Sequence, residues 1–262
     1  MTASPVTARR AGFASDLTAV ASRALRQIPR EPEAIIPALI IPVFFFVVNV
    51  GSLSGVAEQG GVEDFLAFQL PVAIVFAVTG VSRASALVTD ITGGYFDRLL
   101  LTPMKRLPLL LGLMVADFVL VVALSIPVLI LGFAVGVRFE TGIAGILVFL
   151  LLAGLWGLAF TGFPYAIALK TGNPAAVNSS FLLFFPFAFL TTSFLPQEAL
   201  TGWLSAIADY NPVTYLLAAL RSLLTEGWEP GTLLGGVGAI VIVGTVSFTL
   251  ALVALRGRVS RN

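Results

Sequence analysis

Apolar residues along this chain form long runs that are separated by short polar stretches. A helix needs about 20 such residues to cross a hydrocarbon layer of about 30 Å. Six runs are long enough, and they are Ala34–Leu53, Phe65–Ser82, Leu109–Val135, Ile143–Leu169, Val177–Leu195 and Leu233–Leu255. The pattern therefore predicts an all-α membrane protein whose six transmembrane helices form one domain, residues 34–255, before a short tail at 256–262.

Residues 1–33 form a separate polar segment without the apolar core of a secretory signal peptide. Apolar side chains recur in it at helical spacing, at Leu17, Val20, Ala21, Ala24, Leu25 and Ile28. Arg23 and Arg26 fall on other faces, and Pro29 and Pro32 break the pattern. These features predict an amphipathic helix on the cytoplasmic membrane surface.

The stretch between the fifth and sixth spans, Pro196–Thr232, is too short for a domain and too apolar for a free linker. Asn211 and Pro212 form an N-cap and first-turn pair that opens a helix of about 14 residues, to Thr225. At 1.5 Å per residue this helix covers about 21 Å, which is too short to cross. We predict two short re-entrant helices here, with a plain interfacial helix as the alternative.

The basic residues are distributed unevenly between the predicted loops. With the N-terminus in the cytoplasm, all but two of the 15 lysines and arginines lie on the cytoplasmic side, and only Arg138 and Arg221 lie outside. Because short cytoplasmic loops carry an excess of Lys and Arg, both termini are predicted in the cytoplasm, in a bacterial plasma membrane.

Composition excludes several classes of function. The chain is 58% hydrophobic and 11% charged, and it contains neither cysteine nor histidine. Thiol chemistry, the usual metal sites and the ordinary neutral-pH base are therefore not expected. No phosphate-binding GxxxxGK[ST] loop is present, so the chain is not expected to hydrolyse ATP. Nucleic-acid binding has no supporting feature.

Asp117 is the one formal charge inside the six predicted spans. An ionisable group at that depth is costly and is a functional candidate. It could carry a proton, hydrogen-bond a kinked neighbouring helix or face a wet cavity. The first possibility gives an alternative function, a proton-coupled secondary transporter.

The longest cytoplasmic loop, about Asp90–Pro108, contains a short predicted helix. Phe96, Leu99 and Leu100 share one face of it, beside Asp97 and Arg98. Such a helix offers an apolar surface to a cytoplasmic partner or to lipid headgroups. A membrane scaffold that recruits a partner without transport is therefore a third hypothesis.

Four segments resemble, in order, motifs of one family. They are RQIPREPEAIIPALIIPVFFFVV at 26–48, FDRLLLTPMKR at 96–106, GLMVAD at 112–117 and NPVTYLLAALRSLL at 211–224. Their order and spacing resemble those of the membrane subunits of type 2 ABC exporters, the family of daunorubicin-resistance permeases.

The resemblance implies a permease that pairs with two separate ATPase subunits and with a second membrane subunit, either the same chain or a paralogue. ATP and Mg would bind to the ATPases, and this chain would hold no cofactor and no metal. The substrate would be hydrophobic or amphipathic, of drug, lipid or glycan type. The implied ATPase-coupling residues are Phe96, Asp97, Arg98, Leu99, Leu100 and Arg26. The outer gate would include Asn211, Pro212, Tyr215 and Arg221. The translocation path would be lined by Phe181, Phe184, Phe185 and Phe189.

Overall fold

The computed structural model describes residues 12–30, 32–59, 62, 64–79, 81–95, 98 and 106–259. Within these ranges the chain is helical and contains no strand, which confirms the predicted all-α membrane fold. The α-helices are α1 Phe13–Gln27, α2 Pro32–Gln59, α3 Phe65–Thr79, α4 Ala84–Thr92, α5 Arg106–Ala134, α6 Gly142–Thr171, α7 Pro174–Ser179, α8 Phe184–Phe189, α9 Gly202–Ala208, α10 Pro212–Thr225 and α11 Pro230–Val259. Short 3₁₀ helices cover Ile28–Arg30, Ser180–Leu183 and Gln197–Ala199.

Five segments of the described chain are long and apolar enough to cross a membrane. They correspond to the first four predicted spans and to the last, and they cover Ile35–Gly55, Phe65–Thr92, Leu107–Ala134, Gly142–Thr171 and Pro230–Arg258. The second extends ten residues beyond its predicted end at Ser82, because α4 continues the span after a break around Arg83.

The predicted fifth span, Val177–Leu195, is shorter and broken in the structure. It consists of α7, a 3₁₀ turn and α8, and its helical part ends at Phe189. Asn173 caps the first turn of α7, with Pro174 as the first helical residue. Pro186, which lacks a backbone donor, lies inside α8. The 16 residues of Pro174–Phe189 therefore form a short segment rather than a continuous spanning helix.

α3 lies at the centre of the bundle and packs against α2, α5, α6 and α10. Its side chains are buried on all sides, as expected for a helix that is apolar around its whole circumference. Small residues allow close approach to its neighbours. A Cβ on Gly132 of α5 would lie 2.9 Å from the side chain of Leu70, and one on Gly157 of α6 would lie 3.1 Å from the carbonyl of Val78.

The predicted surface helix is present as α1, and it packs against the first turns of α5. Ala21 and Ala24 are buried in this contact, whereas Arg26 is exposed. A Cβ added to Gly112 would lie 2.7 Å from the Cβ of Val20, so the two helices meet at a glycine. α1 is therefore a packed part of the bundle.

One end of the bundle carries α1, α4 and the C-terminal turns of α6 and α11. We name it the basic end, because Arg23, Arg83, Lys170 and Arg258 lie there. The other end, which carries α9 and α10, is named the opposite end. The orientation predicted above would place the basic end in the cytoplasm.

Candidate functional site

At the basic end, an ion pair joins α1 to α4. Arg23 donates from Nη1 to Asp90 Oδ2 at 2.9 Å and from Nη2 to Asp90 Oδ1 at 2.8 Å. The guanidinium also lies 4.2 Å from the centre of the Tyr95 ring. The hydrogen bond to Asp90 raises the pKa of Arg23 above its ordinary value, so the cation is retained. This two-bond geometry fixes the direction of α4 relative to the surface helix.

A buried polar cluster lies at the break between α3 and α4. Asp117 of α5 accepts from the backbone N–H of Arg83 at 2.7 Å through Oδ1, and from the hydroxyl of Tyr165 at 2.7 Å through Oδ2. Arg83 is the N-cap residue of α4, so the carboxylate satisfies a backbone donor at a helix start, where no partner within the helix is available. A negative charge is also favourable beside a helix N-terminus.

The same cluster reaches the surface helix. Nη2 of Arg83 donates to Oε1 of Gln27 at 3.0 Å, and Gln27 is the last residue of α1. Hydrogen bonds therefore connect α1, α4, α5 and α6 around one point. Of the three possibilities for Asp117, the observed contacts are those of a carboxylate bonded to a kinked neighbouring helix.

Arg83 corrects one step of the sequence interpretation, which counted it on the cytoplasmic side, just beyond the second predicted span, and left Asp117 as the one charge inside the spans. Only 4% of Arg83 is exposed, and Asp117 is fully buried. The second span continues past this arginine to Thr92. Two charged side chains are therefore buried at the same level of the bundle.

The predicted ATPase-coupling residues are only partly described by the structure. Phe96, Asp97, Leu99 and Leu100 lie outside the described residues. Arg98 is exposed, and its backbone N–H donates to the carbonyl of Gly94 at 3.2 Å. Arg26 is exposed on α1. Their role stays a prediction.

At the opposite end, Asn211 joins the broken fifth span to α10. Its side-chain oxygen accepts from the N–H of Val213, which caps α10 as predicted, with Pro212 as the first helical residue. Its amide nitrogen donates to the carbonyls of Phe187 and Leu190, both at 2.7 Å. One side chain thus caps the start of α10 and the end of α8.

Arg221 holds the irregular chain that follows α8. Its guanidinium donates to the carbonyl of Phe68 at 3.1 Å and to the carbonyl and hydroxyl of Thr192 at 2.7 and 3.1 Å. It also stacks on the Phe68 ring, 3.5 Å from its centre. From α3, the amide of Gln69 donates to the carbonyl of Ser193 at 3.0 Å. Non-helical backbone at this depth is stable because protein groups satisfy it.

The other predicted gate residue, Tyr215, is half-exposed and donates its hydroxyl to the carbonyl of Asp209 at 2.6 Å. It therefore ties α10 to the turn before it. The structure brings all four predicted gate residues onto or beside α10, and their role in transport stays a prediction.

The four predicted path phenylalanines lie on the broken span and form a chain of rings. Phe181 contacts Phe184 and Phe185 at 6.2 and 5.1 Å between centres, and Phe185 stacks on Phe189 at 5.6 Å. Phe184 and Phe189 also contact Phe76 of α3 at 5.4 and 6.1 Å. Phe184 is fully buried in the core, while the other three are partly exposed.

A cavity of about 560 Å³ lies between α2, the α3–α4 break, α6 and α7. Rings of Phe76, Phe160 and Phe181 form apolar walls, and the polar lining includes Thr79, Ser82, Arg83, Ser85, Asn178 and Ser180. The volume falls within the range of about 300–1,000 Å³ that is usual for small-molecule sites. The cavity therefore combines apolar walls with a polar lining.

The sequence did not indicate a role for four of the residues that make these side-chain contacts at the basic end: Arg23, Gln27, Asp90 and Tyr165. One signal was available, because a tyrosine inside a membrane span needs a partner for its hydroxyl. The Arg23–Asp90 pair is separated by 67 residues, and no local spacing indicates such a contact.

The fold and these polar links define a class of protein: a multi-pass helical membrane protein with a surface helix built onto one end of its bundle. The chain belongs to the ABC-2 type transporter family, whose description matches residues 15–225. It is thus the membrane subunit of an ABC exporter, a permease that works with ABC ATPase subunits.

Three relatives illustrate the match. The daunorubicin resistance ABC transporter permease protein DrrB1 of Streptomyces coeruleorubidus is 28% identical over 218 residues, which cover 81% of this chain and 77% of that protein. The probable doxorubicin resistance ABC transporter permease protein DrrC of Mycobacterium tuberculosis is 24% identical over 208 residues, or 79% and 75% of the two chains. A protein of Cyanophora paradoxa that is described as a transport permease is 25% identical over 225 residues, or 82% and 76%.

Proposed function

We propose that this permease exports a hydrophobic or amphipathic substrate of drug, lipid or glycan type across a bacterial plasma membrane, with both termini in the cytoplasm. Two separate ATPase subunits, which bind ATP and Mg²⁺, would drive it. The names of the relatives support a drug-type substrate, since one is described as a daunorubicin resistance permease and another as a probable doxorubicin resistance permease. The amphipathic lining of the 560 Å³ cavity is consistent with the same class.

The observation that carries the proposal is the connection of α1 to the spans at the basic end. Arg23 ties α1 to α4, and Gln27 ties it to Arg83 at the start of α4. A force applied to α1 or α4 from the cytoplasm would therefore reach α5 through Asp117 and α6 through Tyr165. The predicted ATPase-coupling residues at 96–100 begin four positions after the last residue of α4 in the chain.

A second membrane subunit would cover the outward face of α2. Ile36, Ile40, Phe44 and Val47 recur on that face at helical spacing and are between 54% and 61% exposed. A bilayer accepts such a face as readily as a protein does. We propose that the second subunit, a copy or a paralogue, packs beside α2 and the broken span, with the substrate path between the two halves.

The outer gate would consist of α8, the irregular segment 190–196 and α10. Asn211 and Arg221 bind this segment to α10, so the three parts would move together. Opening such a unit relative to α3 requires the bonds to Phe68 and Gln69 to break. We propose that ATP-driven motion at the basic end supplies that displacement.

The test is co-purification of the tagged chain with its ATPase, followed by ATP-dependent substrate movement in reconstituted vesicles. Arg23→Glu places two carboxylates together at the α1–α4 contact, so transport per ATP hydrolysed should fall. Adding Asp90→Arg should restore the pair and the transport. Arg30→Glu, an exposed change just beyond α1, is the matched control.

Three outcomes would contradict the proposal: no ATPase accompanies an intact chain, transport proceeds without ATP, or the charge-swapped double variant is no better than Arg23→Glu alone. A complex that hydrolyses ATP and moves nothing would favour the scaffold hypothesis.

A further inference from the structure

An apolar groove of about 660 Å³ runs between the C-terminal halves of α6 and α11. Phe163 and Ile167 of α6 form one wall, and Leu250 and Val253 of α11 form the other. Leu183, from the 3₁₀ turn of the broken span, also lines it. The groove is separate from the 560 Å³ cavity, and the two have none of their described lining residues in common.

The groove faces outward from the bundle. Leu183, Leu250 and Val253 are 48%, 47% and 61% exposed, respectively. In a spanning segment these side chains face hydrocarbon, and a concave apolar surface of this kind has the shape and polarity to hold an acyl chain.

Two cations lie where the groove reaches the basic end. Lys170 is exposed at the last turn of α6, and Arg258 is partly exposed at the last turn of α11. Arg258 donates from Nη1 to the carbonyl of Leu169 at 3.2 Å, which holds its guanidinium at the groove. Its Nε is buried and has no hydrogen-bond partner among the described residues.

The described lining of the groove contains no acidic residue to neutralise these cations. Basic pockets at the cytoplasmic ends of transmembrane helices attract anionic lipid headgroups, and each basic side chain near such a surface contributes about a fivefold preference. An apolar trough that ends at two cations matches both halves of a phospholipid.

We propose that the groove between α6 and α11 binds one anionic phospholipid of the leaflet at the basic end. One acyl chain lies along Ile167 and Val253, and the phosphate lies between Lys170 and Arg258. Because Leu183 belongs to the broken span, the bound lipid also supports the turn between α7 and α8.

The experiment uses native mass spectrometry of the purified transporter in mixed micelles with equal amounts of phosphatidylglycerol and phosphatidylcholine of the same chains. The wild type is expected to retain one phosphatidylglycerol in preference to phosphatidylcholine. Lys170→Gln should lower this preference about fivefold, and Lys170→Gln with Arg258→Gln about 25-fold. Arg256→Gln, on the same last turn of α11 but outside the groove, should leave it unchanged.

Further measurements distinguish binding of a whole lipid from binding of its headgroup alone and from other occupants of the groove. Val253→Trp fills the trough without removing a charge, so it should abolish retention, and glycerol phosphate in excess should not displace the lipid. Lys170→Gln alone keeps the proposal testable if Arg258→Gln does not fold, since Arg258 also caps Leu169. The proposal would be overturned if the wild type retained the two lipids equally, or if Lys170→Gln and Arg256→Gln lost equal amounts of lipid. It would also be overturned if a second copy of the chain, rather than a lipid, covered Val253.

Discussion

Substitution of Asp117 separates a structural carboxylate from a proton carrier. Asp117→Ala removes the acceptor for two buried donors, the N–H of Arg83 and the hydroxyl of Tyr165. A buried donor without a partner costs about 1–3 kcal/mol, so the alanine variant should lose about 2–6 kcal/mol. Asp117→Asn keeps one acceptor oxygen, and the tyrosine hydroxyl can accept from the new amide, so it should cost less than about 2 kcal/mol.

The assay has two readouts. Thermal inactivation of the solubilised complex should rank the variants as wild type, then Asp117→Asn, then Asp117→Ala. ATP-driven transport in vesicles should survive in Asp117→Asn and should not change when a protonophore removes the proton gradient. Tyr165→Phe is the matched control, because it removes one hydrogen bond between membrane helices, which is worth about 0.6–1.7 kcal/mol.

A single result would refute this reasoning about Asp117. If Asp117→Asn were as stable as the wild type but abolished transport, then the titratable proton rather than the hydrogen bonds would matter. Transport that persisted without ATP and collapsed with the gradient would lead to the same conclusion. The proton-coupled alternative would then replace the ATP-driven proposal.

Two further predictions concern the ends of the bundle. Gly112→Leu should displace α1, because a Cβ at this position would lie 2.7 Å from the Cβ of Val20. Both the recovery of the ATPase and transport should therefore fall. Gly238→Leu is the control, because a Cβ there meets nothing within 4 Å, and it should change neither. Asn211→Ala should lower stability by about 1–3 kcal/mol in thermal denaturation. Asn211→Asp keeps the helix cap but not the bonds to α8, so equal effects of the two would show that only the link to α8 matters.

Hydropathy predicted most of the fold because a membrane span can be identified from the apolar character of one continuous run of residues. The spans predicted to begin at Phe65, Leu109, Ile143 and Leu233 each begin within three residues of a helix start in the structure. The helix from Pro212 to Thr225 was predicted to the residue, since Asn-Pro at a helix start acts through local bonds alone.

The broken fifth span was not predicted because its irregular part is stabilised by distant residues. The run Val177–Leu195 is apolar enough as a whole for hydropathy to treat it as one spanning helix. The backbone of segment 190–196 is instead bound by Asn211, Arg221 and Gln69, which lie 21, 29 and 124 residues away from their partners in the chain. No window of sequence contains all of those partners.

Arg83 illustrates the same limit for a charged residue. A lysine or arginine at the end of an apolar run normally indicates the membrane surface. Here the Arg83 side chain is buried in the protein, because its guanidinium donates to Gln27. The backbone N–H of Arg83 donates to Asp117 at the same place. A charge can be buried only where such partners converge, and convergence is a property of the folded bundle.

The polar links at the two ends of the bundle each hold a group of helices together. At the basic end they join α1 and α4 to α5 and α6; at the opposite end they join α8 and α10 to α3. Van der Waals packing holds membrane helices together, and these hydrogen bonds add a fixed set of partners to that packing. We therefore expect the helices of each linked group to move together, and opening of the proposed outer gate to require in addition that the bonds to Phe68 and from Gln69 of α3 break.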